Sequence, residues 1–251
     1  MLFLPNRLSK ALHLPFWGGV FFLVLLQLGL THAADTAPTK DEPKVAEADA
    51  NAVVLEYLPP KPGSYELMRI MAAADGQVLD VDGNARQLKD FTGDKVTLLS
   101  FIYSTCADPN GCPYAYLVFN NLKNRIAREP KLGGKVRLVS LSFDPKRDTP
   151  EMLKLYAGDN LRPGQPVEWD FLTTDSYKSL MPILDAFGQD VFIELDPATK
   201  QPLGTLSHVL KVFLIDRDRM VREVYTTIYL QGDVVYNDIL TLLMEQGLEL
   251  P

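Results

Sequence analysis

The chain has 251 residues, 47% of them hydrophobic, with a formal net charge of −7 and only two cysteines. An acidic balance without a basic stripe interleaved with aromatics argues against a phosphate-backbone partner. Zinc-finger spacing and a strand-led glycine fingerprint for nucleotides are both missing, so no nucleic acid is expected as a partner.

At the N-terminus Arg7 and Lys10 precede an apolar run from Phe16 to Leu30, and then come Thr31, His32, Ala33, Ala34 and Asp35. Basic, hydrophobic and small-residue regions in that order describe a secretory signal with a cut after Ala33. The run is short for a spanning helix, which needs about 20 residues, but Ala11 to Pro15 can extend it. Residues 1–33 are therefore read as a signal peptide or an uncleaved N-terminal anchor. Both readings export the rest of the chain, to the periplasm or the outer face of the cytoplasmic membrane, and an anchor adds membrane association. Residues 34–63 hold five prolines and few large apolar side chains. Such a segment cannot offset the entropy of ordering and reads as a flexible linker. Residues 64–251 are long enough for one domain with an adequate core.

A two-stranded element is predicted around Gln77 to Leu88, where Asp82 and Gly83 supply turn chemistry between alternating residues. Lys95 to Ser104 is apolar almost throughout, the pattern of a strand buried on both faces. After the cysteine loop, Tyr114, Leu117, Val118, Leu122 and Ile126 recur at helical spacing. Lys135 to Phe143 is a second buried strand. A helix follows with Thr149 as cap and Pro150 at its first position. This strand, helix, strand, helix order predicts a parallel core with right-handed crossovers. Val167 to Leu172 is a third strand candidate, and Trp169 within it reads as core.

Beyond Asp175 a helix presents Leu180, Ile183, Leu184 and Phe187, with Pro182 expected to delay or kink it. Met181 beside it reads as a packing residue rather than a soft ligand. Gln189 to Leu206 has weak periodicity and is taken as an inserted excursion. Val209 to Asp216 and Met220 to Tyr229 form an antiparallel hairpin expected at the sheet edge. Val235, Ile239, Leu242 and Leu243 define a last helix that ends near Gly247.

Both cysteines lie in Ser104-Thr105-Cys106-Ala107-Asp108-Pro109-Asn110-Gly111-Cys112-Pro113, directly after a buried strand and before a helix. Strand ends of open α/β sheets are where reactive groups collect. Asp108 to Gly111 suits a tight turn, which would fold Cys112 back toward Cys106. Pro113 is preorganised for a first helical position, leaving Cys112 near the positive end of the helix, where a thiolate is expected to be favoured. Such a pair serves redox exchange, soft-metal binding or a structural disulfide. His208 precedes a late strand that should run antiparallel to the strand delivering Cys106, which would bring it near the loop. Two thiolates and an imidazole suit Cu(I) or Cu(II), and zinc accepts the same ligand types. Asp144, Arg147 and Asp148 end another strand and can brace the rim or cap the next helix.

These segments, with Trp169 to Asp175 and Ser207 to Asp216, resemble the Sco/SenC family of copper-binding, thioredoxin-like assembly factors for cytochrome c oxidase, from about Gly76 to Leu243. The resemblance implies an α/β, thioredoxin-like three-layer fold whose central mixed sheet has helices on both faces. It also implies that Cys106, Cys112 and His208 match the family's copper ligands, with Asp108 and Pro113 as supporting loop residues. The implied partner is a cytochrome c oxidase subunit or another periplasmic copper or thiol protein. In the family three residues usually separate the cysteines; here five do, so metal-free thiol-disulfide exchange and a non-catalytic module with a structural disulfide stay open as alternatives.

Overall fold

The structure is a computed structural model and describes residues 58–249. The signal or anchor at 1–33 and nearly all of the linker at 34–63 lie outside the described residues. Among those described, no helix is long and apolar enough to cross a membrane.

In chain order the elements are β1 (Met71–Ala72), β2 (Gln77–Leu79), β3 (Ala85–Gln87), α1 (Lys89–Thr92), β4 (Val96–Ile102), α2 (Cys112–Ala127), β5 (Val136–Ser142) and α3 (Pro150–Ala157). There follow β6 (Glu168–Leu172), α4 (Tyr177–Phe187), β7 (Val191–Leu195), β8 (Pro202–His208), β9 (Lys211–Ile215), β10 (Met220–Thr226) and α5 (Gly232–Glu245). Six strands form one mixed sheet in the order β1-β10-β9-β4-β5-β6. β4, β5 and β6 run parallel, while β9 pairs antiparallel with β4 and with β10. The β9–β10 hairpin is antiparallel as expected but does not form the edge, because β1 pairs Met71 with Val221 beyond it.

Alternation along the buried strands builds both outer layers. Val96, Leu98, Leu138, Trp169, Phe171, Val212 and Leu214 face α2, α3 and α5 on one side. Leu99, Phe101, Val139, Leu141, Phe213 and Ile215 face α1 and α4 on the other. Strands that need apolar residues at both parities belong in the middle of three layers, and this is the thioredoxin-like α/β architecture.

Local signals account for most element ends. Thr149 caps α3 by accepting a hydrogen bond from the Met152 N–H. α4 runs through Pro182 without interruption. Proline inside a helix costs about 3 kcal/mol, but burial of Leu180, Ile183, Leu184 and Phe187 contributes about 1.5–3 kcal/mol for each side chain. The stretch read as an excursion is a second, separate sheet made of β7 and β8. At the start of the described chain, Pro60 accepts from Asn237 Nδ2 at 3.0 Å and the Gly63 N–H donates to Thr241 on α5.

Candidate functional site

β4 delivers the chain to the end of the sheet, and hydrogen bonds shape the loop that follows. The Cys106 N–H donates to the Tyr103 carbonyl at 3.2 Å. The Gly111 N–H donates to the Asp108 carbonyl at 3.0 Å, closing the expected tight turn, and the Asp108 carboxylate accepts from the Asn110 N–H at 3.0 Å. α2 starts at Cys112 with Pro113 in its first turn. Gly111 leaves little room for a side chain, since a Cβ there would lie 3.3 Å from Cys106 Sγ and 3.4 Å from the Asp108 carbonyl oxygen. The five-residue interval is thus absorbed by one turn that returns the chain past Cys106 to the start of α2 at Cys112.

Both cysteines are free thiols, Cys112 buried and Cys106 half-buried. The Cys112 side chain and the backbone N–H groups of Cys112 and Asp108 pull the Cys106 thiol down to about 6, against the effect of burial. Cys112 moves the opposite way, raised by its bond to Cys106 and by burial. The expectation that Cys112 carries the favoured thiolate is therefore corrected. Its place at the helix end is dry, and a second negative charge beside the Cys106 thiolate is disfavoured.

His208 closes β8, and its Nε2 lies 4.0 Å from Cys112 Sγ. The antiparallel β4–β9 pairing brings it there, as the sequence predicts. Its ring packs 4.6 Å from Phe143 and 6.3 Å from Tyr103, centroid to centroid. Burial lowers its pKa, with the Asp108 charge opposing, so the imidazole is neutral at physiological pH and keeps a lone pair for a ligand. Cys112 neighbours both Cys106 and His208, yet among the described residues no group of three or more His, Cys, Asp or Glu could hold a metal ion. The three donors adjoin without converging on one point.

Two small cavities flank the half-exposed Cys106. A polar one of about 250 Å³ lies between the loop and β8 and is lined by Asp108, Glu194, Thr205 and His208. An aromatic one of about 230 Å³ is lined by Tyr103, Pro113, Tyr116 and Tyr156. The rim is braced from the segment between β5 and α3: buried Asp148 accepts from the Ser104 N–H at 3.0 Å, from the Ser104 hydroxyl, and from the Ser142 hydroxyl at 2.6 Å. Asp144 pairs with Arg147 at 3.2 Å and accepts from the Tyr177 hydroxyl at 2.8 Å. Trp169 is core, stacked 5.0 Å from Phe171. Met181 is not: it is half exposed and lines a separate cavity against Ile193 and Leu206, because the apolar side of α4 that packs on the sheet is filled by its neighbours. Sequence reasoning overlooked Tyr103, although a tyrosine ending an apolar strand three residues before a cysteine is itself a signal.

With this geometry, residues 72–243 match the SCO1/SenC family. The chain belongs to that family. A SCO1/SenC family lipoprotein from Bacillus anthracis is 26% identical, with a TM-score of 0.53 over 74% of this chain and 99% of the lipoprotein. Arabidopsis thaliana ScoI with copper bound shares the fold at TM-score 0.56 and 16% identity, covering 69% of this chain and 99% of its own. Yeast Sco1 with copper bound does so at TM-score 0.51 and 16% identity, covering 72% and 92%. No curated protein matches the chain significantly.

Proposed function

We propose that this protein is an exported Sco-type copper carrier acting in assembly of the cytochrome c oxidase copper centre, with Cys106, Cys112 and His208 holding one copper ion as cargo. The observation that carries this reading is the 4.0 Å approach of His208 Nε2 to Cys112 Sγ, beside a Cys106 that ionises easily. Bonds of about 2.0–2.3 Å from an imidazole nitrogen and a thiolate to one ion span a comparable distance. Soft thiolates with one imidazole suit Cu(I), and Cu(II) is accommodated with an added weak ligand. Copper-bound A. thaliana and yeast proteins of the same fold support the choice of metal. Residues 64–251 form the carrier domain, and 1–33 serve as signal or anchor, which places it in the periplasm or on the outer face of the cytoplasmic membrane. The recipient is an oxidase subunit or another periplasmic copper or thiol protein.

The test is an anaerobic Cu(I) competition titration of the reduced protein beside His208→Ala. One-to-one binding weakened by the substitution is expected; failure to retain Cu(I) against the chelator overturns the carrier role.

The thiol asymmetry favours a second reading, reduction of a partner's disulfide. The Cys106 thiolate attacks one sulfur of that disulfide, forming a mixed disulfide and releasing the partner's other sulfur as thiolate. Cys112 then gives up its proton and attacks Cys106, releasing the partner's second thiol. Two electrons pass to the partner and the Cys106–Cys112 disulfide remains. A pair that never oxidises reversibly in redox buffers rules this out.

A further inference from the structure

The β7–β8 sheet that carries His208 is separate from the central sheet. Its inner side packs Val191 and Leu206 against the core, while Phe192, Ile193 and Leu203 are more than half exposed. Among the described residues, two polar contacts tie its strands to the body. One is the Cys112–His208 contact itself. The other runs from the Tyr103 hydroxyl, which donates to the Leu206 carbonyl at 3.1 Å.

Tyr103 follows the last residue of β4, the strand that leads into the cysteine loop, and is only 5% exposed. Its ring lies 5.1 Å from Phe143, and these two rings form the wall against which His208 packs. The residue that leads from β4 into the thiol loop therefore binds the backbone of β8 two residues before His208 and packs edge-on against the His208 ring. A phenylalanine would supply the same packing without the link to Leu206, so the hydroxyl has a role that core filling does not explain.

We infer that Tyr103 is a positioning residue: its hydroxyl, bonded to the Leu206 carbonyl, holds the β7–β8 hairpin against the cysteine loop and so fixes His208 beside Cys112. The consequence for copper affinity rests on the carrier reading; the consequence for the hairpin does not. Without the hydroxyl the hairpin keeps its own ladder and its apolar contacts but loses one of its two polar ties, and His208 spends less time in place.

The experiment compares wild type and Tyr103→Phe as full chains, reduced and metal-free, by hydrogen exchange. Backbone amides of β7 and β8 should exchange about three- to tenfold faster in the variant, the range expected for one lost neutral hydrogen bond, with β4 and β5 unchanged. Unchanged hairpin exchange, or equal acceleration in β4 and β5, overturns the inference. Cu(I) competition then adds a cycle: Tyr103→Phe should weaken binding in the wild-type background and have no further effect on His208→Ala. Equal weakening in both backgrounds overturns action through His208. If wild type itself retains no Cu(I), the carrier reading falls, and the exchange result still decides the role of Tyr103.

Discussion

His208 Nε2 stands 4.0 Å from Cys112 Sγ although 96 positions separate them in the chain. Two pieces of topology create that approach. β9 runs antiparallel to β4, so the residues before it arrive where β4 ends. The Asp108–Gly111 turn then returns the chain so that α2 begins with Cys112 at the same end of the sheet. The third donor, Cys106, is placed by the turn and stays accessible, so the two thiols face different surroundings.

That difference should be visible in alkylation. In reduced, metal-free protein the iodoacetamide rate should rise with pH about a midpoint near 6 and then level, with the label on Cys106. Cys112→Ala should move the midpoint upward by removing the side-chain donor that has the leading influence on Cys106. A wild-type midpoint close to the ordinary cysteine value of about 8.5 would contradict the assignment.

The layer between α4 and the sheet depends on Phe213, whose ring lies 4.9 Å from Phe187 and 5.9 Å from Phe101 in edge-on contacts. Phe213→Ala should lower unfolding free energy by about 3–5 kcal/mol in urea titrations, because the cavity it leaves is walled by a rigid sheet. Phe192→Ala on the exposed hairpin should change stability by less than about 0.5 kcal/mol. Similar values for the two would refute the assignment of Phe213 to the core.

Burial on β6 pushes the Asp170 carboxyl up from 3.8 to about 6, with neighbouring Arg137 pulling the other way at 3.5 Å. The folded state thus holds a proton that the unfolded state has already released. The contribution to stability is complete below 3.8 and is lost as pH rises through about 6. Urea midpoints of the wild type should fall across that window relative to Asp170→Asn, which has no such proton to lose. Parallel curves for the two proteins would show that Asp170 titrates normally.

Much of this protein is written locally. Apolar residues at both parities of Val96–Ile102 and Val136–Ser142 require strands covered on two faces, and Thr149 with Pro150 fixes where α3 starts, so sequence alone determined the three-layer core. Turn chemistry at Asp108–Gly111 was equally legible, because proline and glycine act through their own backbones. The resemblance carried by the loop and by the strand after His208 pointed to the right family for the same reason: short segments keep their pattern. Tertiary structure decided what depends on surroundings. It made Cys106 rather than Cys112 the acidic thiol, because burial and a shared proton outweigh the helix end. It built β7 and β8 from a stretch with weak periodicity, left Met181 outside the core, and put the Tyr103 hydroxyl against the Leu206 carbonyl. Solvation, charge coupling and contacts between distant segments are properties of the assembled chain, and no spacing along the sequence encodes them.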